Sequence, residues 1–229
     1  MTNPPKLKQK LEVKKYHGNE VKDEFSWVHQ KDILEVLKDS SKLNPEVRKY
    51  LEEENAYTKL QMKGTEKFQK KLFAEIKGRL KLDDESLPFL YNKDGWKYWT
   101  KTTKENNYSI QLRKKIGTNG KIEEYWNGDK EKKKIGASYF GIGDLSVSHD
   151  HSLLGYSLDL NGSEFYAINI RKIVDEKIVD EKIENTSGGI TFSKDSKYIF
   201  YTLLNKKHQP KKVFRHKIGS SQKGDELIY

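Results

Sequence analysis

Apolar side chains recur at intervals of three and four through the first third of the chain, the spacing that lines one face of a helix. Ile33, Leu34, Val36 and Leu37 make a short amphipathic run. Asn44-Pro45 is a helix start, with Asn as the cap and Pro at the first helical position, and Val47, Tyr50, Leu51 and Tyr57 extend a stripe from it. Thr65 opens a third run with Phe68, Leu72, Phe73, Ile76 and Leu80 on one face. The pattern predicts three helices and little else before residue 85.

At Asp83-Asp84-Glu85-Ser86 the period falls to two. After a turn at Asn92-Lys93-Asp94-Gly95, Trp96, Tyr98 and Thr100 alternate with Lys97, Trp99 and Lys101. Tyr108, Ile110 and Leu112 alternate again after Glu105-Asn106-Asn107, which predicts a hairpin and then β-structure to the end of the chain.

An internal repeat organises that second part. Val147-Ser148-His149-Asp150 returns 45 residues later as Phe192-Ser193-Lys194-Asp195, and Leu153, Leu154 and Tyr156 return as Tyr198, Ile199 and Tyr201. Ten residues past each tyrosine another strand begins, at Tyr166-Ala167-Ile168 and Lys211-Lys212-Val213, and Tyr98 stands in the same relation to Tyr108-Ser109-Ile110. A four-stranded unit of roughly 40–50 residues, present about three times, is the pattern of β-propeller blades. Blades bury their faces on neighbours, and a ring of about four to eight is needed to close. The expected fold is therefore mainly β with an N-terminal α-helical extension: residues 1–85 helical, residues 86–229 an incomplete propeller of about three blades. Such an arc leaves two ends open, and the text stops at Asp225-Glu226-Leu227-Ile228-Tyr229, in or just after a strand.

Composition narrows the partners. The mean hydropathy is −0.92, yet 11% of the 229 residues are aromatic, which is incompatible with a disordered chain. The formal net charge of +10 raises the question of nucleic acid. Among 44 basic residues only Arg48, Arg79, Arg113, Arg171 and Arg215 are arginine, and the lysines alternate with acids, as in Asp175-Glu176-Lys177. That is a solvated lysine-rich surface, and nucleic acid is not an expected partner. The absence of cysteine excludes disulfides, thiolate metal sites and a cysteine nucleophile. With no apolar leader and no apolar run long enough to span a bilayer, a cytoplasmic location and no membrane partner are expected.

Several segments resemble a known family. His17-Gly18, Asp23-Glu24-Phe25-Ser26-Trp27 and Tyr50-Leu51-Glu52-Glu53-Glu54-Asn55-Ala56-Tyr57-Thr58 are similar to the N-terminal region of the prolyl oligopeptidase family of serine peptidases. Tyr156-Ser157-Leu158-Asp159-Leu160-Asn161-Gly162-Ser163-Glu164-Phe165-Tyr166 and Ile183-Glu184-Asn185-Thr186-Ser187-Gly188-Gly189-Ile190-Thr191-Phe192-Ser193 resemble its oligopeptidase B (protease II) branch. The resemblance runs from His17 to Tyr229. It implies a helical extension, a seven-bladed propeller and a C-terminal α/β-hydrolase domain with a Ser-Asp-His triad, in enzymes that cut short peptides after Lys or Arg. Four blades and the hydrolase domain have no counterpart here. Family blades often turn on Ser-Pro-Asp-Gly, whereas these read Ser148-His149-Asp150-His151 and Ser193-Lys194-Asp195-Ser196; the retained Asp can still close the turn.

No residue is assigned a catalytic role. The nucleophile of such a hydrolase stands on a G-x-S-x-G elbow between strand and helix. The nearest strings, Gly136-Ala137-Ser138-Tyr139-Phe140 and Gly155-Tyr156-Ser157-Leu158-Asp159, lack the second glycine, so Ser138 and Ser157 read as strand residues. Without a nucleophile none of the six histidines can act as its base. His17 is expected to pack against the absent domain, and His29, His208 and His216 have no partner pattern. His149-Asp150-His151 has metal-ligand side chains but falls on a turn with no third ligand, so neither metal nor cofactor is expected. The tandem Ile-Val-Asp-Glu-Lys within Lys172–Ile183 reads as a lengthened surface loop without a function.

These readings describe the N-terminal propeller fragment of an oligopeptidase B-like endopeptidase, inactive alone. The expected partners are a separately encoded C-terminal peptidase half, or further copies joined through open blade edges; short basic peptides would bind only with the catalytic domain supplied. The alternative is a stand-alone propeller-like module for protein interaction.

Overall fold

Residues 3–90, 95–117 and 119–229 are described by the structure, a computed structural model. The backbone divides between Leu80 and Lys81 into two units.

The first unit opens with a hairpin of β1 (Glu12–Tyr16) and β2 (Asn19–Asp23), which the helix-period reading did not foresee. Its signal was His17-Gly18: both residues have positive φ, 50° and 83°, as a two-residue hairpin turn requires. Its strands carry few apolar residues, so no alternation announced them. The three helices follow as α1 (Ile33–Lys38), α2 (Pro45–Met62) and α3 (Glu66–Gly78). Asn44 caps α2, its side chain accepting from the Glu46 N–H at 2.8 Å. Only Val36 and Val47 of the expected stripes are buried, whereas Phe68, Leu72, Phe73, Ile76 and Leu80 are all exposed.

The second unit holds three antiparallel meanders, each four strands wide, with two short strands sharing the first position of blade 1. In blade 1, β3 (Asp84–Glu85) and β4 (Phe89–Leu90) both pair with the edge of β5 (Trp96–Thr102), followed by β6 (Ile110–Lys115) and β7 (Glu123–Asn127). The turn expected at 92–95 lies, but for Gly95, outside the described residues. Helix α4 (Gly128–Ile135) leads to blade 2, made of β8 (Gly141–Val147), β9 (Leu153–Asp159), β10 (Tyr166–Lys172) and β11 (Ile178–Thr186). Blade 3 is β12 (Thr191–Phe192), β13 (Tyr198–Leu204), β14 (Pro210–Lys217) and β15 (Glu226–Leu227). All pairings are antiparallel, and a single residue pair, Thr186 with Leu203, links the ladders of β11 and β13. The sheets are open, as the incomplete propeller requires. Among the described residues no helix is long and apolar enough to cross a membrane.

Blades bury both faces because strand side chains alternate. On blade 2, Leu154, Tyr156 and Leu158 face blade 1 and join Tyr98, Trp126, Phe140, Val147 and Ile173 in one core. The opposite face, Ile168 and Ile170, joins Ile183, Ile190, Phe192, Ile199 and Tyr201 in a second. A Cβ on Gly155, which also lies on that face, would meet Ile190 and Phe192 at 3.2 Å, so the blades close over a bare backbone there.

The repeated turns share one construction. Ser148 and Ser193 each donate their Oγ to the Asp two residues on, at 2.6 Å, and accept from the N–H of Leu153 and Tyr198 at 2.9 and 3.0 Å. His151 and Ser196 hold φ of 61° and 57°, where the Gly of the family's motif would be relaxed. The N–H of Lys194 takes no part in the turn, which closes from Ser196 N to Ser193 O at 2.9 Å. Lys194→Pro should therefore stabilise the second unit by about 0.4–1 kcal/mol, by restricting the unfolded chain, and a rise in urea midpoint at unchanged m checks it.

Candidate interaction surface and buried polar seams

Each blade carries one buried basic side chain on its third strand. The ladder register sets Arg113 opposite Tyr98, Arg171 opposite Leu154 and His216 opposite Ile199. All three are at most 2% exposed. A buried charge is tolerated only with paired and hydrogen-bonded partners, so their surroundings define the joints between blades.

Between blades 1 and 2, Arg113 donates Nε to Glu123 at 2.7 Å and Nη1 to the carbonyl of His151 at 2.7 Å, with its guanidinium over Trp96. The Tyr98 hydroxyl meets His151 Nδ1 at 2.7 Å. Arg171 donates Nη1 to Glu131 at 2.6 Å and Nη2 to Tyr125 O at 3.2 Å, and lies against the rings of Trp126 and Tyr156. Its Nε and the Trp126 Nε1 find no acceptor among the described residues. Helix α4 brings Glu131 to that place. Asn127 accepts from the Lys130 N–H, acids fill the first turn, Lys132–Lys134 the last, and Gly136 caps the C-terminus at φ 72°. The cap, charge order and closing glycine stand in the sequence at Asn127, Asp129-Lys130-Glu131-Lys132-Lys133-Lys134 and Gly136.

Between blades 2 and 3, His216 lies between two carboxylates, Nδ1 at 2.7 Å from Asp225 Oδ1 and Nε2 at 3.2 Å from Asp180 Oδ2. Asp225 also accepts from the Tyr201 hydroxyl at 2.7 Å. Burial, and then that bond to a carboxylate, push the Tyr201 phenol well above its ordinary range. At the inner end Asp144 accepts from Ile190 N at 2.9 Å and Ser157 donates Oγ to Gly188 O at 2.7 Å. Asp150 spans the same joint, its N–H reaching Ser196 Oγ at 3.2 Å. Burial opposes the Asp150 charge, but donors from Ser148 and Ser152 outweigh it and hold the carboxyl below its usual value.

Three expectations change with these positions. Ser157 is a strand residue, but Ser138 lies in a bend between α4 and β8. His216, which had no pattern in the sequence, is the centre of a joint, because its partners stand 36 residues before and 9 after it. The tandem repeat is not a lengthened loop: its first copy turns the β10–β11 hairpin, and its second runs in β11 with Asp180 buried. The His149-Asp150-His151 triplet is on the β8–β9 turn, with Asp150 and His151 engaged as described above.

The outward face of blade 3 remains as a surface. Tyr198, Phe200 and Thr202 of β13 share it with Val213 and Arg215 of β14, the guanidinium lying over Tyr198, and beside it Leu227, Ile228 and Tyr229 are exposed. At the other end, Trp99, Ile110 and Leu112 form a buried cluster on the face of blade 1 turned from blade 2, and Leu87, Phe89 and Leu90 of its edge are exposed. These are side chains suited to pack on a further sheet.

Residues 4–229 match the N-terminal β-propeller domain of prolyl oligopeptidase. The chain is 29% identical over 247 aligned residues to dipeptidyl aminopeptidase BI of Pseudoxanthomonas mexicana, covering 100% of this chain and 32% of that protein. It is 23% identical over 218 residues to protease 2 of Moraxella lacunata, covering 93% of this chain and 30% of that one. Oligopeptidase B from Leishmania major has the same fold over 99% of this chain and 32% of its own length, with a TM-score of 0.84 at 21% identity. Oligopeptidase B from Trypanosoma brucei, in a closed form with covalently bound antipain, follows at a TM-score of 0.79 and 23% identity. The chain thus spans about a third of the length of the relatives it matches.

Proposed function

Since the chain belongs to the prolyl oligopeptidase family through its N-terminal β-propeller domain, we propose that it is the N-terminal portion of an oligopeptidase B-like serine endopeptidase that cuts short peptides after Lys or Arg. Its catalytic serine, aspartate and histidine belong to sequence beyond these residues. The observation that carries this reading is the match across 4–229, set beside a span of 32% and 30% of the two named relatives. Two buried chemical facts agree with it. Ser157 spends its hydroxyl on a backbone carbonyl inside a blade joint, and His216 has both ring nitrogens against aspartates of the same joint.

The partner in this reading is a polypeptide that carries further blades of the same family together with the hydrolase domain. It would pack on the outward face around Phe200 and on the exposed edge of blade 1 at Leu87, Phe89 and Leu90. A cytoplasmic location belongs to the same reading, in keeping with a chain free of cysteine.

The test is turnover of fluorogenic Arg and Lys peptides by the purified chain, before and after a family C-terminal half is added. The expected result is no turnover alone, and serine-inhibitor-sensitive turnover with the added half. Turnover by the chain alone that such an inhibitor abolishes would overturn the reading. A stable closed oligomer that refuses the added half would favour a stand-alone interaction module instead.

A further inference from the structure

The tandem Ile-Val-Asp-Glu-Lys places two identical aspartates in different surroundings. Asp175 accepts from the Lys177 N–H at 3.1 Å in the exposed hairpin turn. Asp180 is 8% exposed and reaches into the next blade, its Oδ2 accepting from Gly219 N at 2.6 Å and facing His216 Nε2 at 3.2 Å. The ladder between β10 and β11 shifts register three times, and Lys182 in β11 has φ 58°. Such bulges re-aim side chains away from a regular hairpin, which is what Asp180 needs to face β14.

His216 completes the contact in a particular way. It stands 45 residues after Arg171, at the same place in its blade; Arg171 has Glu131, the Tyr125 carbonyl and, at 3.8 Å, Glu176 around it, whereas His216 faces one carboxylate on each ring nitrogen. A carboxylate accepts, so each ring nitrogen that carries a proton donates to its own aspartate. Asp225, the second acceptor, is fixed in turn by the Tyr201 hydroxyl. Main-chain pairing between β11 and β13 is limited to Thr186 and Leu203, so side-chain bonds must hold this end of the joint.

We propose that Asp180 makes the second copy of the repeat an inter-blade latch, fixing blade 3 on blade 2 through His216 and Gly219, while its twin Asp175 closes a hairpin turn. Gln222 reinforces the latch beside it, accepting from Glu184 N at 3.0 Å and donating to Glu184 O at 3.1 Å. Blade 3 is the terminal blade of the arc at this end, so this latch sets how firmly its outward face is presented.

The matched aspartates supply their own control. In hydrogen exchange on the 229-residue chain, Asp180→Asn should speed exchange across residues 198–217 at least about tenfold, the buried carboxylate that takes the Gly219 N–H across the joint having been lost, with the amides of β5 and β6 unchanged. Asp175→Asn should alter exchange by less than about twofold, as expected for an exposed turn residue. His216→Gln should reproduce the Asp180→Asn pattern, and the double variant should add little to either single one. Equal effects of the two Asp→Asn changes, or full additivity of Asp180→Asn with His216→Gln, would overturn the latch. Should Asp180→Asn fail to fold, the unaltered chain still decides: the Gly219 amide, which donates to Asp180 across the joint, must exchange as slowly as the amides of β13 and β14, and fast exchange there overturns the proposal.

Discussion

Arg171→Ala should cost the second unit about 3–5 kcal/mol in urea unfolding, the typical penalty for stripping one partner from a buried ion pair. The substitution leaves Glu131, itself 7% exposed, facing a void instead of the guanidinium nitrogen at 2.6 Å. It also removes a cation lying against the rings of Trp126 and Tyr156 and a donor to Tyr125 O. Area loss alone would not give this magnitude, because much of the Arg side chain could be replaced by a long apolar one. The double change Arg171→Met with Glu131→Leu should therefore recover most of the loss, by exchanging a charged pair for packing of similar volume. A loss below about 1 kcal/mol for the single change would mean that the pair is solvated, as surface pairs are, and that α4 does not hold the joint.

Ile168→Ala should be the other severe change, at about 2–5 kcal/mol, with the value set by how far the joint between blades 2 and 3 can collapse. Ile168 is fully buried among Ile170, Ile183, Ile190, Phe192, Ile199 and Tyr201, contributed by both blades. The cavity therefore opens at a joint where neither sheet can move without breaking the Asp144 and Asp180 bonds beside it. Val174, an apolar residue four positions beyond Ile170, is 90% exposed, and Val174→Ala should be silent within about 0.5 kcal/mol. A similar loss at both positions, measured from urea midpoints, would contradict the assignment of the joint.

Much of this architecture was legible because it is local. Asn44-Pro45 announced α2 through its cap, and the period change near Asp84 announced the sheets. The pairs Ser148/Ser193 and Asp150/Asp195 announced repeated turns, since the same hydroxyl and carboxylate close each one. The hairpin at Glu12–Asp23 was missed because its strands are polar on both faces, leaving only the His17-Gly18 turn as a signal. Helix α4 was missed for the opposite reason: its caps were clear, but an eight-residue helix of mostly charged side chains shows no apolar stripe.

The candidate surfaces divide along the same line. The alternation of Tyr198, Phe200 and Thr202 with Ile199 and Tyr201 already assigned two faces to β13, and the repeat said that each face needs a neighbour. Which basic residue of each blade would be buried, and by what, was not written in any short window. Arg113, Arg171 and His216 look like other surface cations among 44 lysines and arginines and six histidines until the register sets each opposite a buried side chain.

By itself, then, the amino-acid order determined the elements, the repeat and the family resemblance, because caps, turns and two-residue alternation depend on neighbours a few positions apart. Tertiary structure alone decided that the twin aspartates part company, that Glu131 meets Arg171 and that His216 bridges two carboxylates. Those pairings join residues 36 and 40 positions apart. Charges so distant along the chain acquire their meaning only when packing removes water from around them and leaves each other as the remaining partner.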